Sequence, residues 1–259
     1  MKRRRTQQGV QSIEVGGRLL QALARAQCPQ MLRDLAAASR MPAAKAHRYL
    51  VSLARMGLVE QRARSGLYDL GPFALELGLS ALARLDPIAT AGPVLIDLCR
   101  ETQQTVALAV WANQGATIVR WVGADTPVAA SLRVGSVMPL TRSATGGAFL
   151  AFLPPQTTAP FVRKELAEQA RAGIAPSTQE EVDRWVAQTR RHGYARTSEF
   201  IPGISGIAAP AFDHMGSMVL AVVALGYTRP FDAAIAKLSD AVSRAAAAIS
   251  ARLGARRSA

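Results

Sequence analysis

A chain of 259 residues that is 49% hydrophobic and 19% charged can bury the cores of two domains or of one large domain, and this composition argues against intrinsic disorder. Of its formal net charge of +13, +9 falls on residues 1–70, where 13 Lys and Arg face 4 Asp and Glu, as expected for a surface that contacts phosphate. The chain has only two cysteines, which argues against a disulfide framework. No apolar segment follows the basic residues 2–5, as a secretion signal would require, and no apolar segment is long enough to span a bilayer. The protein is therefore predicted to lie in the cytoplasm.

Residues 1–71 are predicted to form a winged helix–turn–helix domain. A first helix begins at the N-cap Ser12 and ends near Gln27, and a short second helix follows. After a break at residues 39–42, a third helix runs until Gly57 stops it, and two alternating stretches around a turn at residues 65–66 then form a hairpin. The predicted apolar stripe of the first helix consists of Ile13, Leu19, Leu20 and Leu23.

The third helix is the element that is expected to enter the major groove of DNA. Its 3.6-residue period places Leu50 on the buried side and Lys45 and Arg48 on the outer side. Arginine and lysine side chains hydrogen-bond guanine or neutralise phosphate, so this outer side suits a DNA contact better than an ordinary solvated surface. The candidate DNA contacts are Lys45, His47, Arg48 and Tyr49 in this helix, and Arg62 and Arg64 in the hairpin.

Residues 72–87 are predicted to form a linker helix. Pro72 suits the first turn of a helix, and Asp86 with Pro87 is a plausible stop. The number of large apolar residues exceeds what one helix face can hold, which favours a dimer surface or, equally, a core helix between domains. These residues are Phe73, Leu75, Leu77, Leu79, Leu82 and Leu85.

Residues 88–259 are predicted to form a second, α+β domain around a mostly antiparallel sheet. Alternation of apolar and polar residues indicates the strands, and the 3.6-residue period indicates the helices. The predicted helices are 88–103, one that begins within 143–147 and ends at 153, 159–170, 178–192 and 231–253; the predicted strands are 105–111, 116–122, 128–133, 194–199, 206–212 and 218–225.

The segment that precedes the helix ending at residue 153 is a candidate anion site. Backbone N–H groups at a helix start lack intrahelical partners, and the positive end of the helix dipole attracts a carboxylate there. Arg142 could add a bidentate partner. Simple capping of the helix by Ser143 or Thr145 would explain the same residues, and the sequence leaves both interpretations open.

No catalytic or metal-binding motif accompanies this candidate site. The three histidines, His47, His192 and His214, fall in separate predicted elements and have no metal-ligand spacing with Cys, Asp or Glu. Ser143 does not stand in a nucleophile elbow, and residues 146–147 lack the Lys-Ser/Thr of a phosphate-binding loop. The protein is therefore predicted not to be an enzyme and to need no cofactor or metal.

Several segments, in this order and spacing, resemble the isocitrate lyase regulator (IclR) family of bacterial transcription factors over nearly the full chain. They are Ile13–Leu23, Leu32–Gly71, Pro139–Pro154, His192–Tyr194 and Gly206–Pro210. The resemblance implies a winged helix–turn–helix domain, a linker helix and a GAF-like effector-binding domain. It also implies dimers, or dimers of dimers, that bind palindromic operators and respond to a small metabolite.

Departures from the family's pattern shape the prediction of the effector. Gly147 stands where the family usually has lysine and Gly206 where it often has cysteine, while Val223 and Leu225 replace serines that some members present from the last strand. These differences predict a larger and more apolar pocket. The predicted effector is therefore an aromatic carboxylate rather than a small keto acid. The predicted effector contacts are Arg142, Ser143, Ala144, Thr145, Gly206, Val223 and Leu225.

The predicted function is a DNA-binding regulator that represses a catabolic operon under the control of a carboxylate effector. An activator of the same family and a sensor or interaction module that does not bind DNA are the alternatives. The predicted partners are a double-stranded DNA operator, the effector, and further copies of the chain in a homodimer or a dimer of dimers. The linker helix would couple effector binding to the spacing of the two DNA-reading helices.

Overall fold

The computed structural model describes residues 9–26, 28–125, 132–174 and 178–255. The chain divides into two units, Met1–Leu85 and Asp86–Ala259, so the division falls within the predicted linker segment. The described part of the first unit contains three helices, an antiparallel hairpin and a further helix. These elements are α1 (Gln11–Ala26), α2 (Leu32–Ala38), α3 (Ala43–Arg55), β1 (Val59–Gln61), β2 (Tyr68–Leu70) and α4 (Pro72–Ala83).

The apolar faces of α1, α2 and α3 meet in one core, and the hairpin closes it. Leu50 of α3 is completely buried, as its position in the helical period predicts, and Tyr68 of β2 is 4% exposed. Helix and hairpin thus share one apolar cluster, which fixes the orientation of α3 within the unit. The buried members of this cluster are Leu19, Leu23, Leu35, Ala36, Ala46, Leu50, Val59 and Tyr68.

The first helix differs from its prediction in two respects. It begins at Gln11, so Ser12 lies inside the first turn and is not the N-cap. Ile13 is 73% exposed, because the buried row of α1 consists of residues spaced by four, Val15, Leu19 and Leu23, and Ile13 lies to the side of that row. The prediction of Ile13 as a core residue was therefore wrong.

Helix α4 begins at Pro72 as predicted, but it buries none of its residues. Leu75 and Leu79 are 65% and 56% exposed, so α4 presents a largely apolar surface within the first unit. Phe73, Leu77 and Leu82 are also exposed.

The second unit is built on a five-stranded antiparallel sheet with the order β4-β3-β7-β6-β5. This agrees with the predicted α+β class. Its strands are β3 (Thr105–Ala112), β4 (Gly115–Val122), β5 (Ala195–Ile201), β6 (Ile204–Phe212) and β7 (Met218–Tyr227). Its described helices are α5 (Pro87–Thr102), α6 (Ala144–Phe152), α7 (Pro155–Arg171), α8 (Gln179–His192), α9 (Thr228–Ala233) and α10 (Ile235–Arg252).

Helix α6 packs on one face of this sheet, against β5, β6 and β7, and α8 lies against its outer side. Phe149 of α6 is fully buried there, in a cluster that includes Val223 and Leu225 of β7. Alternate residues of the strands face α5 and α10, which pack against each other and against the sheet. The start of α6 is therefore held close to the sheet, on the side of the sheet where β5 and β6 lie.

Two predicted elements of this unit differ from the structure. The predicted strand 128–133 lies mainly outside the described residues, and Leu132 and Arg133 are not in a strand. The predicted single helix 231–253 is two helices, α9 and α10, that are separated at Ala234. No single described helix is long and apolar enough to cross a membrane, although α4 and α5 taken together as a bent pair pass that test by length and composition.

Candidate functional site

The outer side of α3 carries two cationic side chains that are available to a partner. Lys45 and Arg48 are exposed, and neither side chain makes a hydrogen bond or ion pair with another residue in the described part of the chain. Hydrogen bonds at the start of α3 fix the backbone that carries these side chains, since the N–H groups of Lys45 and Ala46 both donate to the Pro42 carbonyl at 3.0 Å. Free cations at the start of such a helix suit contact with DNA bases and phosphates.

The other two candidates in α3 take part in contacts within the unit. His47 Nδ1 lies 3.3 Å from the hydroxyl of the buried Tyr68, which ties α3 to the hairpin. Tyr49 is half-buried, and a Cβ atom on Gly16 would lie 3.4 Å from its ring, so its ring packs against α1. The structure therefore gives both residues a role in positioning α3, while it leaves Lys45 and Arg48 free.

The two arginines of the hairpin also differ from each other. Arg62 Nη2 lies 2.9 Å from Asp69 Oδ2 on the opposite strand, so its charge is partly neutralised. Arg64 is exposed near the turn, where Gly66 takes the left-handed φ of +70°. Of the two, Arg64 is the better placed to meet a phosphate.

In the second unit, the start of α6 is capped by its own chain. Ser143 Oγ accepts from Gly146 N–H at 3.0 Å and donates its proton to the Pro139 carbonyl at 2.6 Å. This hydroxyl therefore has no proton left for a ligand, and helix capping explains Ser143. The N–H groups of Ala144 and Thr145 have no hydrogen-bond partner among the described residues, and they remain the donors that an anion would use.

A small cavity of about 40 Å³ adjoins these two amides. Six of the seven predicted effector contacts line it, namely Ser143, Ala144, Thr145, Gly206, Val223 and Leu225. Most of the remaining lining is apolar: Leu132, Met138, Phe200, Ile201 and Ile204. By volume the cavity holds about three water molecules. An aromatic ring would enter only if some of the lining side chains moved.

Arg142 is the one predicted effector contact that the structure does not place in this cavity. Its carbonyl accepts a hydrogen bond from Thr197 Oγ1 at 3.0 Å, and its residue lines a separate, open groove of about 910 Å³. Arg196 lies in the same groove, where its guanidinium is paired with Asp232 at 2.9 Å. Trp185, His192 and Tyr194 also line this groove.

The two glycines that were expected to enlarge the pocket behave differently. A Cβ atom on Gly206 would meet Ala144 Cβ at 3.9 Å, so this position does border the cavity. A Cβ atom on Gly147 would instead lie 2.6 Å from the Trp185 ring and 3.0 Å from Ala195 Cβ. The expectation that Gly147 leaves room for a ligand was therefore wrong, because α8 and β5 fill that space.

A carboxylate of α7 fixes the loop that leads into α6, and no sequence pattern predicts this contact. Glu165 Oε2 accepts from Leu140 N–H at 2.6 Å, and Glu165 Oε1 accepts from Thr141 N–H at 3.0 Å and from the Thr141 hydroxyl at 2.6 Å. Gln169 Nε2 donates to that same hydroxyl at 3.0 Å. Glu165 follows Thr141 by 24 residues, so no local pattern predicts this contact.

Nothing in the described residues adds catalytic chemistry to the cavity. In these segments no three His, Cys, Asp or Glu side chains come close enough to hold a metal ion. Burial and the nearby Asp125 carboxylate raise the pKa of the Cys99 thiol, so this side chain stays protonated and is a poor nucleophile at neutral pH.

Comparison with known proteins matches both units. Residues 12–63 match the family model described as the IclR helix-turn-helix domain, and residues 79–251 match that of the bacterial transcriptional regulator IclR C-terminal domain. The chain is 31% identical to the transcriptional repressor IclR of Escherichia coli over 79% of this chain and 75% of that one.

Two solved structures share the fold along almost the whole chain. Pseudomonas aeruginosa HmgR superposes with a TM-score of 0.88 at 33% identity and covers 96% of this chain and 100% of its own. An IclR homologue from Microbacterium hydrocarbonoxydans, solved in complex with 4-hydroxybenzoate, has a TM-score of 0.56 at 22% identity and covers 93% and 98%.

Proposed function

The chain belongs to the IclR family of bacterial transcriptional regulators, and on that premise we propose that it represses a catabolic operon under the control of an aromatic carboxylate. Its relatives are regulators of transcription and not enzymes. The observation that carries the proposal is the pairing of a DNA-binding unit that has free cations on α3 with a second unit that has free amides beside an apolar cavity. Because bacterial DNA lies in the cytoplasm, a protein that binds an operator would act there.

For the DNA contact, replacing Arg48 with alanine is expected to weaken binding to the upstream DNA at least about fivefold, since a bidentate arginine–guanine contact is worth about 1–3 kcal/mol. The fold should not change, because Arg48 is exposed and its side chain has no partner among the described residues of the unit. Fluorescence anisotropy with labelled upstream DNA measures the affinity. The matched control is Arg100→Ala, which removes the same charge from a 78% exposed side chain of the second unit and should leave binding unchanged. Equal losses in both variants would remove Arg48 from the DNA contacts.

For the effector, the amides of Ala144 and Thr145 supply two donors at the positive end of α6, and Val223 and Leu225 supply an apolar wall. Among the residues that the structure describes, no acidic side chain lines the cavity to repel a carboxylate. The 4-hydroxybenzoate complex of the Microbacterium protein supports an aromatic acid as the class of ligand. Arg142 would join such a ligand only if its side chain turned from the open groove towards the cavity.

The effector proposal predicts a rise in melting temperature with aromatic acids. At 100 times its Kd, a ligand stabilises the folded state by about 2.7 kcal/mol, which corresponds to roughly 5–10 °C for a domain of this size. A thermal-shift screen would compare 4-hydroxybenzoate and benzoate with glyoxylate and pyruvate. In the variant Gly206→Val, which fills the cavity, the rise should disappear, whereas Gly123→Val, at a position with open space, should keep it. A rise with the keto acids alone would contradict the proposed class.

We further propose that α4 forms the contact between copies in a homodimer or a dimer of dimers. The support is its row of exposed large apolar side chains in a helix that buries none of its residues. Two helix–turn–helix units on one palindromic operator require such a pairing.

A further inference from the structure

The exposed side of α3 has a chemical pattern that points to particular bases. Residues 44, 48, 51 and 55 follow a spacing of four, three and four, so they lie in one line along the helix, and we call this line the outward row. Ala44, Arg48 and Arg55 are exposed, and Val51 is 37% exposed. Ala46 and Leu50, both completely buried, lie on the opposite side.

The outward row alternates methyl groups with guanidinium groups. Ala44 stands in the first turn of α3 and Arg55 in its last turn. Because recognition helices contact base edges mainly with their N-terminal residues, Ala44 and Arg48 are placed for the bases. Val51 follows Arg48 one turn later on the same line, and Arg55 at the end of α3 is placed for a phosphate. The neighbouring Ser52 hydroxyl donates to the Arg48 carbonyl at 3.2 Å, so it is turned towards the helix backbone.

We propose that the outward row recognises a guanine with thymines close to it in each operator half-site, Arg48 contacting the guanine and Ala44 and Val51 contacting thymine methyl groups. Arginine pairs with guanine O6 and N7 through two hydrogen bonds, and only thymine presents a methyl group in the major groove. Val51 and Ala44 lie about 4.5 Å and about 6 Å along the helix from Arg48, which corresponds to thymines within about two base pairs of the guanine. His47 and Tyr49 lie outside the outward row: His47 Nδ1 is 3.3 Å from the Tyr68 hydroxyl, and the Tyr49 ring packs against Gly16.

This inference rests on the proposed DNA-binding function and refines it, so the test must separate the two. The full-length protein would first select duplexes from a library of random 24-base-pair sequences. An enriched half-site with a guanine and thymines within two base pairs is expected. If no sequence is enriched over the starting library, the proposed operator binding itself fails; if a half-site is enriched that lacks the guanine or the thymines, only the present inference fails.

The second step measures the methyl contacts on the enriched duplex. The wild-type protein should bind this duplex about fourfold more tightly than the same duplex with deoxyuridine in place of a single contacted thymine, because one buried methyl group contributes about that factor. Val51→Ser should bind thymine and deoxyuridine duplexes with a ratio closer to one, and the control Val51→Ile, which keeps the apolar surface, should retain the wild-type ratio. Equal affinity of the wild-type protein for the two duplexes would overturn the assignment of Ala44 and Val51.

The third step tests the guanine contact with a charge-conserving variant. Arg48→Lys keeps the phosphate-neutralising charge but loses the two-pronged hydrogen bonding of the guanidinium. It should reduce discrimination between the enriched duplex and one with adenine in place of the guanine at least fivefold, while binding to unrelated DNA changes little. Unchanged discrimination would overturn the assignment of Arg48.

Discussion

Replacing Gly146 with alanine is expected to destabilise the second unit by about 3 kcal/mol or more. A Cβ atom at this position would overlap the carbonyl of Pro139 and the Cα and carbonyl of Leu140, and these are backbone atoms that no rotamer change can move. The same loop carries the Ser143 cap and is held by Glu165. Moving it would therefore also disturb the free amides of Ala144 and Thr145.

Urea denaturation followed by tryptophan fluorescence measures this change directly. The three tryptophans of the chain, Trp111, Trp121 and Trp185, all lie in the second unit, so their signal reports this unit alone. Gly123→Ala is the matched control in the same unit, because a Cβ atom there meets nothing within 4 Å. If Gly146→Ala unfolded at the wild-type urea concentration, the tight approach of the loop to α6 would not exist in solution.

Replacing Leu50 with alanine is expected to destabilise the first unit by about 2–4 kcal/mol, since truncation of a fully buried leucine loses both apolar burial and packing. Leu50 is completely buried among Leu19, Leu35 and Val59. It also anchors the side of α3 opposite to Arg48, so the affinity for DNA should fall as the unit unfolds.

Two spectroscopic signals separate this effect from a general loss of structure. Far-UV circular dichroism should show an earlier loss of helix in Leu50→Ala, while the tryptophan transition should stay close to that of the wild type. Val51→Ala, at the neighbouring 37% exposed position, is the control and should change the free energy of unfolding by less than about 0.5 kcal/mol. A Leu50→Ala protein as stable as this control would contradict the proposed core of the first unit.

Local patterns were sufficient where a function depends on neighbours in the sequence. The helical period placed Leu50 inside and Arg48 outside, and the turn residues around Gly66 indicated the hairpin. The same period also places Ala44 and Val51 on the outward row of α3, whereas the polar character of His47 and Tyr49 suggested DNA contacts that the period does not support. Their contacts with Tyr68 and Gly16 involve residues that are distant in sequence, so periodicity did not predict them.

The candidate ligand site shows the same division. The start of α6 and its Ser143 cap follow from local sequence, because a helix start has free amides whatever surrounds it. The side of the loop on which Arg142 lies depends on the Thr197 contact from β5, and the space beside Gly147 depends on Trp185 of α8. Thr197 and Trp185 lie tens of residues after Arg142 and Gly147 in the chain. The departures from the family's pattern therefore did not predict the size of the pocket.

The sequence by itself determined the family, the two kinds of domain, the α+β class, and the positions of the candidate DNA-reading helix and the candidate anion-binding helix start, because each depends on composition, period and local spacing. Only the tertiary structure decided which charged side chains are paired, since Asp69 partly neutralises Arg62, whereas Arg48 has no ion-pair partner among the described residues. It also decided the size and lining of the cavity, because the fold brings together residues up to 93 positions apart, from Leu132 to Leu225.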